Sequence, residues 1–513
     1  MKLSGQVAAE ALKDHLPPAL AGRLRGATTW QADIGMNTER AIQLSLASNL
    51  VGLAVDLPQP LGKPAGQAVN FSLSSRPGGE AGRGVDLLAA RYGDLLAVRA
   101  ELGGARAPRV NLKLGGEEAA APSADGLWIS GNLRLLDLDA WLDLAGDGGG
   151  GGESPLKEAS VSFNELRLFN RRLRDTHVRF RQAGHGWNAS LAGREITGEV
   201  NLVPDGEGFR VLANLKKLTF PEALPGPTGV AETRTTPVGL RSLELNAGNL
   251  SWKGLDLGEA RLRLSGVKHG FQVDSFILTL ADSKVEARGL LAEHPRRPSR
   301  IDLKVESGNL GKLLAQLGQP GRVRGAPAQV NGSLTWLGGL DGFDLASLGG
   351  NLDVAVKQGQ FLKVEPGAAR LLGILSLQSL PRRITLDFRD VFSEGFAFDE
   401  IVGNVHLDKG LAYAKDLRMS GPAAKIRMSG VVDLAKENQN LRVVIQPRLD
   451  DSVAVAGALL GGPVVGLGTL IAGKVLKDPI GQAVTFEYAV TGNWAEPVVT
   501  KLPRASRKEA ETP

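Results

Sequence analysis

The chain contains no cysteine. A disulfide framework and any Cys-based zinc or iron–sulfur centre are therefore excluded. Aromatic residues are scarce, at 5% with 3 Tyr and 7 Trp. A nucleic-acid surface needs aromatic platforms and a concentrated basic stripe. Here the net charge is a mere +5, and the basic clusters are the pairs Arg171-Arg172, Arg296-Arg297 and Arg382-Arg383. No nucleic-acid partner is expected, and these pairs read as solvated surface. Global disorder is excluded too, because 42% of the residues are hydrophobic and the charges nearly cancel.

Chemistry-bearing patterns are also missing. The six histidines are His15, His177, His185, His269, His294 and His406, and none stands at a metal-ligand spacing. All of them read as solvent-exposed. No GxSxG elbow occurs, so a serine hydrolase of the α/β type has no support. Gly468-Thr469-Leu470-Ile471-Ala472-Gly473-Lys474-Val475 has the spacing of a phosphate-binding loop, but Val475 stands where a hydroxyl should ligate Mg²⁺. Gly148–Gly152 reads as a loop rather than a phosphate cradle. Asp137, Asp139 and Asp143 surround Trp141, and they read as the wet face of an amphipathic element over Leu135–Leu144. No catalytic residue, metal or cofactor is expected.

What is abundant is glycine and proline, 66 and 27 of 513 residues. That density breaks helices and excludes a long coiled coil. The length fits roughly two to four domains, or one elongated repeat array. Met1-Lys2-Leu3-Ser4-Gly5-Gln6 has a charge but no apolar stretch, so no signal peptide is visible. Read alone, that start indicates a cytoplasmic chain.

The dominant pattern is two-residue alternation. Val178 and Phe180 oppose His177, Arg179 and Arg181. Leu262 and Leu264 oppose Arg261 and Arg263. Ile301, Leu303 and Val305 oppose Asp302 and Lys304. Ile384, Leu386 and Phe388 oppose Arg383, Asp387 and Arg389. Val484, Phe486, Tyr488 and Val490 oppose Thr485, Glu487 and Thr491. Successive strand side chains point to opposite faces, so each run is a strand with one apolar and one wet face. This predicts a mainly β chain of short antiparallel strands joined as hairpins, as in a meander. Helical signals are few. They lie over Val7–Leu24 (interrupted by Pro17-Pro18), Leu310–Leu317 and Gly367–Leu380.

Gly146–Ser154, Pro221–Pro237 and the charged tail Pro503–Pro513 read as linkers or frayed chain. The expected segments are β-rich repeats over 1–145, 155–220 and 239–340, a separate C-terminal domain over 341–502, and a disordered tail over 503–513. Internal similarity is visible. Gly270-Phe271, Phe276, Leu278, Leu280 and Lys284–Gly289 match Gly410-Leu411, Leu417, Met419 and Lys425–Gly430. A weaker copy runs through Gly186-Trp187, Leu191, Ile196 and Gly198. Stacked hairpin repeats explain these matches; a plain β-meander is the other reading.

Ser452–Gly473 carries no charge. Its length permits a membrane span, yet it is rich in Gly and Ala and contains Pro463. Three readings stay open: a segment lying on or in a bilayer, a Gly/Ala-rich cap on the sheet, or a transmembrane helix. The first makes Val453, Val455, Leu459, Leu460, Val464, Val465, Leu470 and Ile471 the candidate membrane contacts.

The residues from Phe361 to Val499 carry a resemblance. Phe361-Leu362-Lys363-Val364-Glu365-Pro366-Gly367, Arg370–Gln378, Leu380-Pro381-Arg382-Arg383 and Leu386–Phe392 follow one another in order. They continue in Gly395–Asp399, Ser420–Ala424, Ala456–Leu459, Gly461–Val464 and Tyr488 through Gly492-Asn493-Trp494. This series resembles the C-terminal region of the AsmA-like envelope proteins, in the YhdP branch. Leu310–Leu314, Gly332–Trp336 and Leu57–Pro64 are similar to the same branch more weakly.

The resemblance implies a long, curved antiparallel β-sheet of repeated hairpins forming an elongated apolar groove, which carries phospholipid between inner and outer membrane in a periplasmic, membrane-associated chain of the bacterial envelope. It implies phospholipid acyl chains as partners, a bacterial membrane at the C-terminal end, and other envelope proteins. Relatives begin with an inner-membrane anchor, so this chain is expected to start partway through a longer protein. The candidate groove residues are Val178, Phe180, Leu262, Leu264, Leu278, Leu280, Leu303, Leu386, Phe388, Phe486 and Tyr488. Physics alone leaves the cover of such a face open between a second sheet and acyl chains. A non-catalytic scaffold for outer-membrane assembly, binding partners through sheet edges, is the alternative function.

Overall fold

The computed structural model describes residues 1–15, 22–36, 42–78, 85–103, 107–146, 154–206, 208–220, 239–340, 343–362, 396–422, 424–447, 485–494 and 497–503. Its contacts divide the chain into two units, Met1–Gly254 and Leu255–Pro513. Both are mainly β.

In the first unit, β1 (Lys2–Ala8), β2 (Leu24–Met36) and β3 (Ile42–Ser48) pair antiparallel, and the short β4 (Leu53–Val55) pairs with the start of β2. From β3 the antiparallel ladder runs through β5 (Phe71–Gly78), β6 (Val85–Tyr92), β7 (Leu96–Gly103) and β8 (Arg109–Leu114). β9 (Gly126–Asp137) lies parallel to β8, and β10 (Leu156–Leu168) parallel to β9. Antiparallel pairing resumes through β11 (Arg171–Ala183), β12 (Gly186–Ala192), β13 (Ile196–Asp205) and β14 (Gly208–Phe220). β15 (Leu240–Trp252) is parallel to β14.

The sheet is therefore mixed, where alternation predicts an antiparallel one. The parallel steps fall where long connections replace tight turns, because parallel neighbours need a crossover of about a dozen residues. Two of the three connections contain the glycine-rich and proline-rich linkers. Alternation is blind to this difference, since either pairing keeps the same two faces.

The second unit is antiparallel throughout its described ladder. β16 (Leu255–Val267), β17 (Gly270–Leu280), β18 (Ser283–Ala292) and β19 (Pro298–Ser307) pair in order. β21 (Ala328–Leu337) follows β19, and β22 (Gly349–Phe361) pairs with both β21 and the short β20 (Val323–Gly325). β23 (Phe396–Asp408), β24 (Leu411–Ser420), β25 (Ala424–Asp433), β26 (Asn438–Pro447), β27 (Phe486–Asn493) and β28 (Val498–Lys501) complete it.

The helices among the described residues are short: α1 (Ala9–Leu12), α2 (Leu138–Gly146) and α3 (Leu310–Gln316). Within the helix predicted over Val7–Leu24, Ala9–Leu12 forms α1 and Lys13–His15 a 3₁₀ turn, Leu24 opens β2, and residues 16–21 lie outside the described residues. Val7 lies in β1 opposite Thr28, so pairing with β2 takes the start of that segment. Leu135–Leu144 divides likewise into the end of β9 and α2, and the Asp137 carboxylate accepts the Ala140 amide at 3.1 Å. α3 matches its prediction within a residue and is capped by Asn309, whose side chain accepts the Lys312 amide at 3.0 Å. Gly367–Leu380 lies outside the described residues.

The repeated hairpins are β17–β18, β24–β25 and β12–β13. In the first two, the leading strand bulges at the same place, between Val273 and Phe276 and between Ala414 and Leu417. Opposite each bulge stands the closing glycine, Gly289 at φ 150° and Gly430 at φ 139°. L side chains rarely adopt that backbone. A Cβ on Gly289 would sit 2.1 Å from the Arg300 carbonyl oxygen, and one on Gly430 2.2 Å from that of Asn440. Gly198 closes the weaker copy at φ 147°. The repeat is thus a structural unit, with a bulge and a side-chain-free kink facing each other.

Candidate functional site: an apolar sheet face

Residues opposite one another in a ladder point to the same face. In the first unit this builds one apolar face. Across β9, β10, β11 and β12 it runs Ile129, Ala159, Phe180 and Ala189 in one row, and Gly131, Val161, Val178 and Leu191 in the next. It continues through Val200, Ala213 and Leu245. On the other side of β9 it passes through Leu112, Val98, Ala90, Leu73, Leu46 and Ala32 to Leu3. Phe180 stacks on Trp187 with ring centroids 4.6 Å apart.

The second unit repeats the arrangement. One row reads Leu262, Phe276, Ala287, Leu303 and Gly332. Its neighbour reads Ala260, Leu278, Val285, Val305, Val330, Val354 and Gly403. Toward the last strands the face holds Met428, Val443 and Tyr488, and Ile426, Ile445 and Phe486. Most of these side chains are half-buried rather than buried. The buried cluster Val323, Ala326, Val356, Phe396, Phe398 and Met419 packs with Leu310 and Leu314 of α3. Burial raises the Tyr488 phenol above its ordinary pKa.

The opposite face is polar. In the second unit Lys284, Glu306 and Gln329 form one row, and Arg288, Asp302 and Ser333 another. Lys304 bonds Glu306 at 2.7 Å and Lys284 bonds Glu286. Those pairs hold the Glu286 carboxyl below and the Lys304 ammonium above their ordinary pKa. Exposed pairs of this kind stabilise little and serve mainly to keep the face wet. In the first unit His177 is a correction: it is half-buried, with its ring nitrogens 3.0 Å from the Ser162 hydroxyl and 3.3 Å from that of Ser160. His185, His269, His294 and His406 are exposed as expected. Among the described residues no group of side chains is arranged to hold a metal ion.

One end of the first sheet is closed by short elements. β1 and β9 run in the same direction, so α1 and α2 lie at the same end, beside the connection after β3. Ala9, Leu50 and Leu53 are buried there against Leu24, Phe71 and Tyr92. The Leu57–Pro64 motif belongs to this closure. Trp141 of α2 donates to the Gln59 carbonyl at 3.1 Å, and the Tyr92 hydroxyl to that of Leu61 at 2.9 Å.

Lys63, 4% exposed, donates from Nζ to the Leu50 carbonyl at 2.8 Å and also to that of Leu53. Burial lowers its pKa. Between that depressed value and the ordinary lysine value, the unfolded chain binds more protons than the folded one, so stability rises with pH across that window. Urea unfolding at pH 7 to 10 is expected to show this rise in the wild type and its loss in Lys63→Met. An identical pH dependence in both proteins would contradict it.

The structure brings the predicted groove residues Val178, Phe180, Leu262, Leu264, Leu278, Leu280, Leu303, Phe486 and Tyr488 onto the apolar faces of their units. Leu278 and Leu280 are buried, and the other seven are half-buried. Leu386, Phe388 and the membrane-contact candidates Val453, Val455, Leu459, Leu460, Val464, Val465, Leu470 and Ile471 lie outside the described residues. Sequence reading missed Ile129, Phe163, Trp187, Phe398 and Trp336 on the same faces. Their alternation was legible. The bulges and glycine kinks that shift its phase were not.

Fold and site together define a class of mainly β proteins in which laddered strands present one apolar and one polar face. Within that class the chain belongs to the YhdP family: the sequence model described as YhdP protein matches residues 1–499. The intermembrane phospholipid transporter YhdP of Escherichia coli (strain K12) is 25% identical over 536 residues, covering 96% of this chain and 40% of that protein. The chain therefore spans about two fifths of the length of that relative. No solved structure matches the chain. Among the described residues no helix is long and apolar enough to cross a membrane.

Proposed function

We propose that this chain carries phospholipid, holding acyl chains against the apolar sheet faces while head groups stay in water. The work is non-enzymatic, and its place is the periplasm of a bacterial envelope, where the lipid passes between inner and outer membrane. The observation that carries this reading is the half-buried state of rows such as Leu262, Phe276, Ala287 and Leu303. A face covered by a second sheet would be fully buried. The relative's function as an intermembrane phospholipid transporter supports acyl chains as the cover.

The energetics suit a conduit. Each methylene removed from water contributes about 0.8 kcal/mol. Ten methylenes half-covered by the face would contribute about 4 kcal/mol, enough to hold a lipid yet release it. The rows continue from strand to strand without a charged residue, so a chain sliding along them meets no desolvation barrier.

Lipid extraction from protein purified out of a bacterial envelope tests the reading. At least one phospholipid per chain is expected by mass spectrometry and phosphate assay. A lipid-free protein would overturn it.

A further inference from the structure

The two ends of the second sheet differ. The turns after β16, β18, β21, β23, β25 and β27 all lie at one end, because those strands run in the same direction. The other end carries α3, which follows β19. Large apolar side chains stand exposed mainly on the turn-bearing rim. Leu337, Leu340, Phe343 and Leu345 are 52%, 60%, 46% and 44% exposed within a few residues of one another. Val267, Leu290, Trp494 and Val498 extend the same rim. At the other end, among the described residues, Leu317 stands alone in this respect.

The rim is tied together. The Gly338 amide donates to the Arg297 carbonyl at 2.8 Å, the Glu293 amide to that of His269 at 3.2 Å, and the Gly410 amide to that of Leu348 at 2.8 Å. Ser299, fully buried, donates to the Gly338 carbonyl at 2.6 Å. Phe343 packs edge-on against Trp336 at 5.4 Å, and the Trp336 indole donates to the Gly339 carbonyl at 2.8 Å. Trp336 is buried opposite Ser299, two residues along β21 from Leu334 and on the same apolar face. Apolar surface thus continues from the face through Trp336 to the rim.

We propose that this rim docks on the surface of a zwitterionic phospholipid bilayer, with Leu340, Phe343 and Leu345 reaching the acyl boundary. This rests on the lipid-carrying reading, since the rim is where that face meets its surroundings. Contiguous exposed apolar side chains mark membrane or protein contacts. The charges beside them decide between the two. Lys268, Arg296 and Arg297 are interleaved with Glu293 and Asp344, all exposed. Near-balanced cations and anions complement phosphocholine or phosphoethanolamine head groups. They offer no field of one sign to steer a charged protein partner.

The full chain is mixed with vesicles of phosphatidylcholine and phosphatidylethanolamine and floated on a density gradient. The wild type is expected to float, and Leu340→Ser/Phe343→Ser to float at least tenfold less. Phospholipid extracted from that variant should match the wild type, which keeps this test apart from that of lipid carriage. If the double variant does not fold, the missing cysteines offer a second route. Leu340→Cys and Lys304→Cys each place one environment-sensitive fluorophore. A blue shift on adding vesicles is expected at 340 and not at 304. Equal flotation of wild type and variant, a shift at both positions or neither, or an oligomer that the double variant dissolves would overturn the proposal.

Discussion

Replacing Leu262 and Leu303 together with aspartate is expected to lower the phospholipid bound to the chain about tenfold or more. Both side chains stand in one row of the apolar face, with Phe276 and Ala287 between them. Each aspartate removes methylenes that would touch an acyl chain and adds a carboxylate that the chain would have to desolvate. A loss of about 1.4 kcal/mol already gives a tenfold weaker complex, and two buried charges exceed that. Because both positions are half-buried, the variant should keep its β circular dichroism. Lys304→Glu, one residue from Leu303 but on the polar face, should bind lipid like the wild type. Extracted lipid phosphate per mole of protein reads the difference. Equal loss in both variants would mean that the two faces are not functionally distinct.

The second large effect concerns the repeat. Gly289→Val is expected to destabilise the second unit by about 3–5 kcal/mol, combining backbone strain of about 1–3 kcal/mol with an overpacking cost of similar size. The Cβ would meet the Arg300 carbonyl oxygen at 2.1 Å and the Ile301 Cα at 2.9 Å. Backbone on the paired strand cannot swing aside as a side chain can. For a unit of this size the melting temperature should fall by roughly 10 °C. Gly321→Ala is the control, since Gly321 also has a positive φ, 72°, yet nothing lies within 4 Å of its added Cβ. Its cost should stay near 1 kcal/mol. Thermal unfolding of both variants decides the matter; equal shifts would mean that φ alone, not the close ladder, demands glycine at 289.

Much of the fold was legible because a strand's side-chain period is short and local. Leu262, Leu264, Leu303, Phe486 and Tyr488 share faces as their alternation predicts. Gly289 and Gly430 stand at matching places in matching hairpins because the repeat spacing carried the information. The parallel steps at β8–β9, β9–β10 and β14–β15 were not legible. Strand direction depends on where a connection returns, and loop composition does not encode that. The start of the Val7–Leu24 prediction failed for a related reason: pairing with β2, decided by distant residues, outweighs local helical periodicity. Lys63 could not have been found from sequence. A lysine next to a proline reads as exposed until the carbonyls of Leu50 and Leu53 converge on it.

The central claim is that lipid lies on one face of the sheet and not on the other. Photo-crosslinking tests it directly, with a benzophenone amino acid placed at Val178, Leu303 and Tyr488 on the apolar faces and at Arg179, Lys304 and Glu487 on the polar ones. The predicted result is phospholipid adducts from the first three positions and none from the second three. Adducts formed equally from both sets, or from neither in protein that retains its lipid, would contradict it.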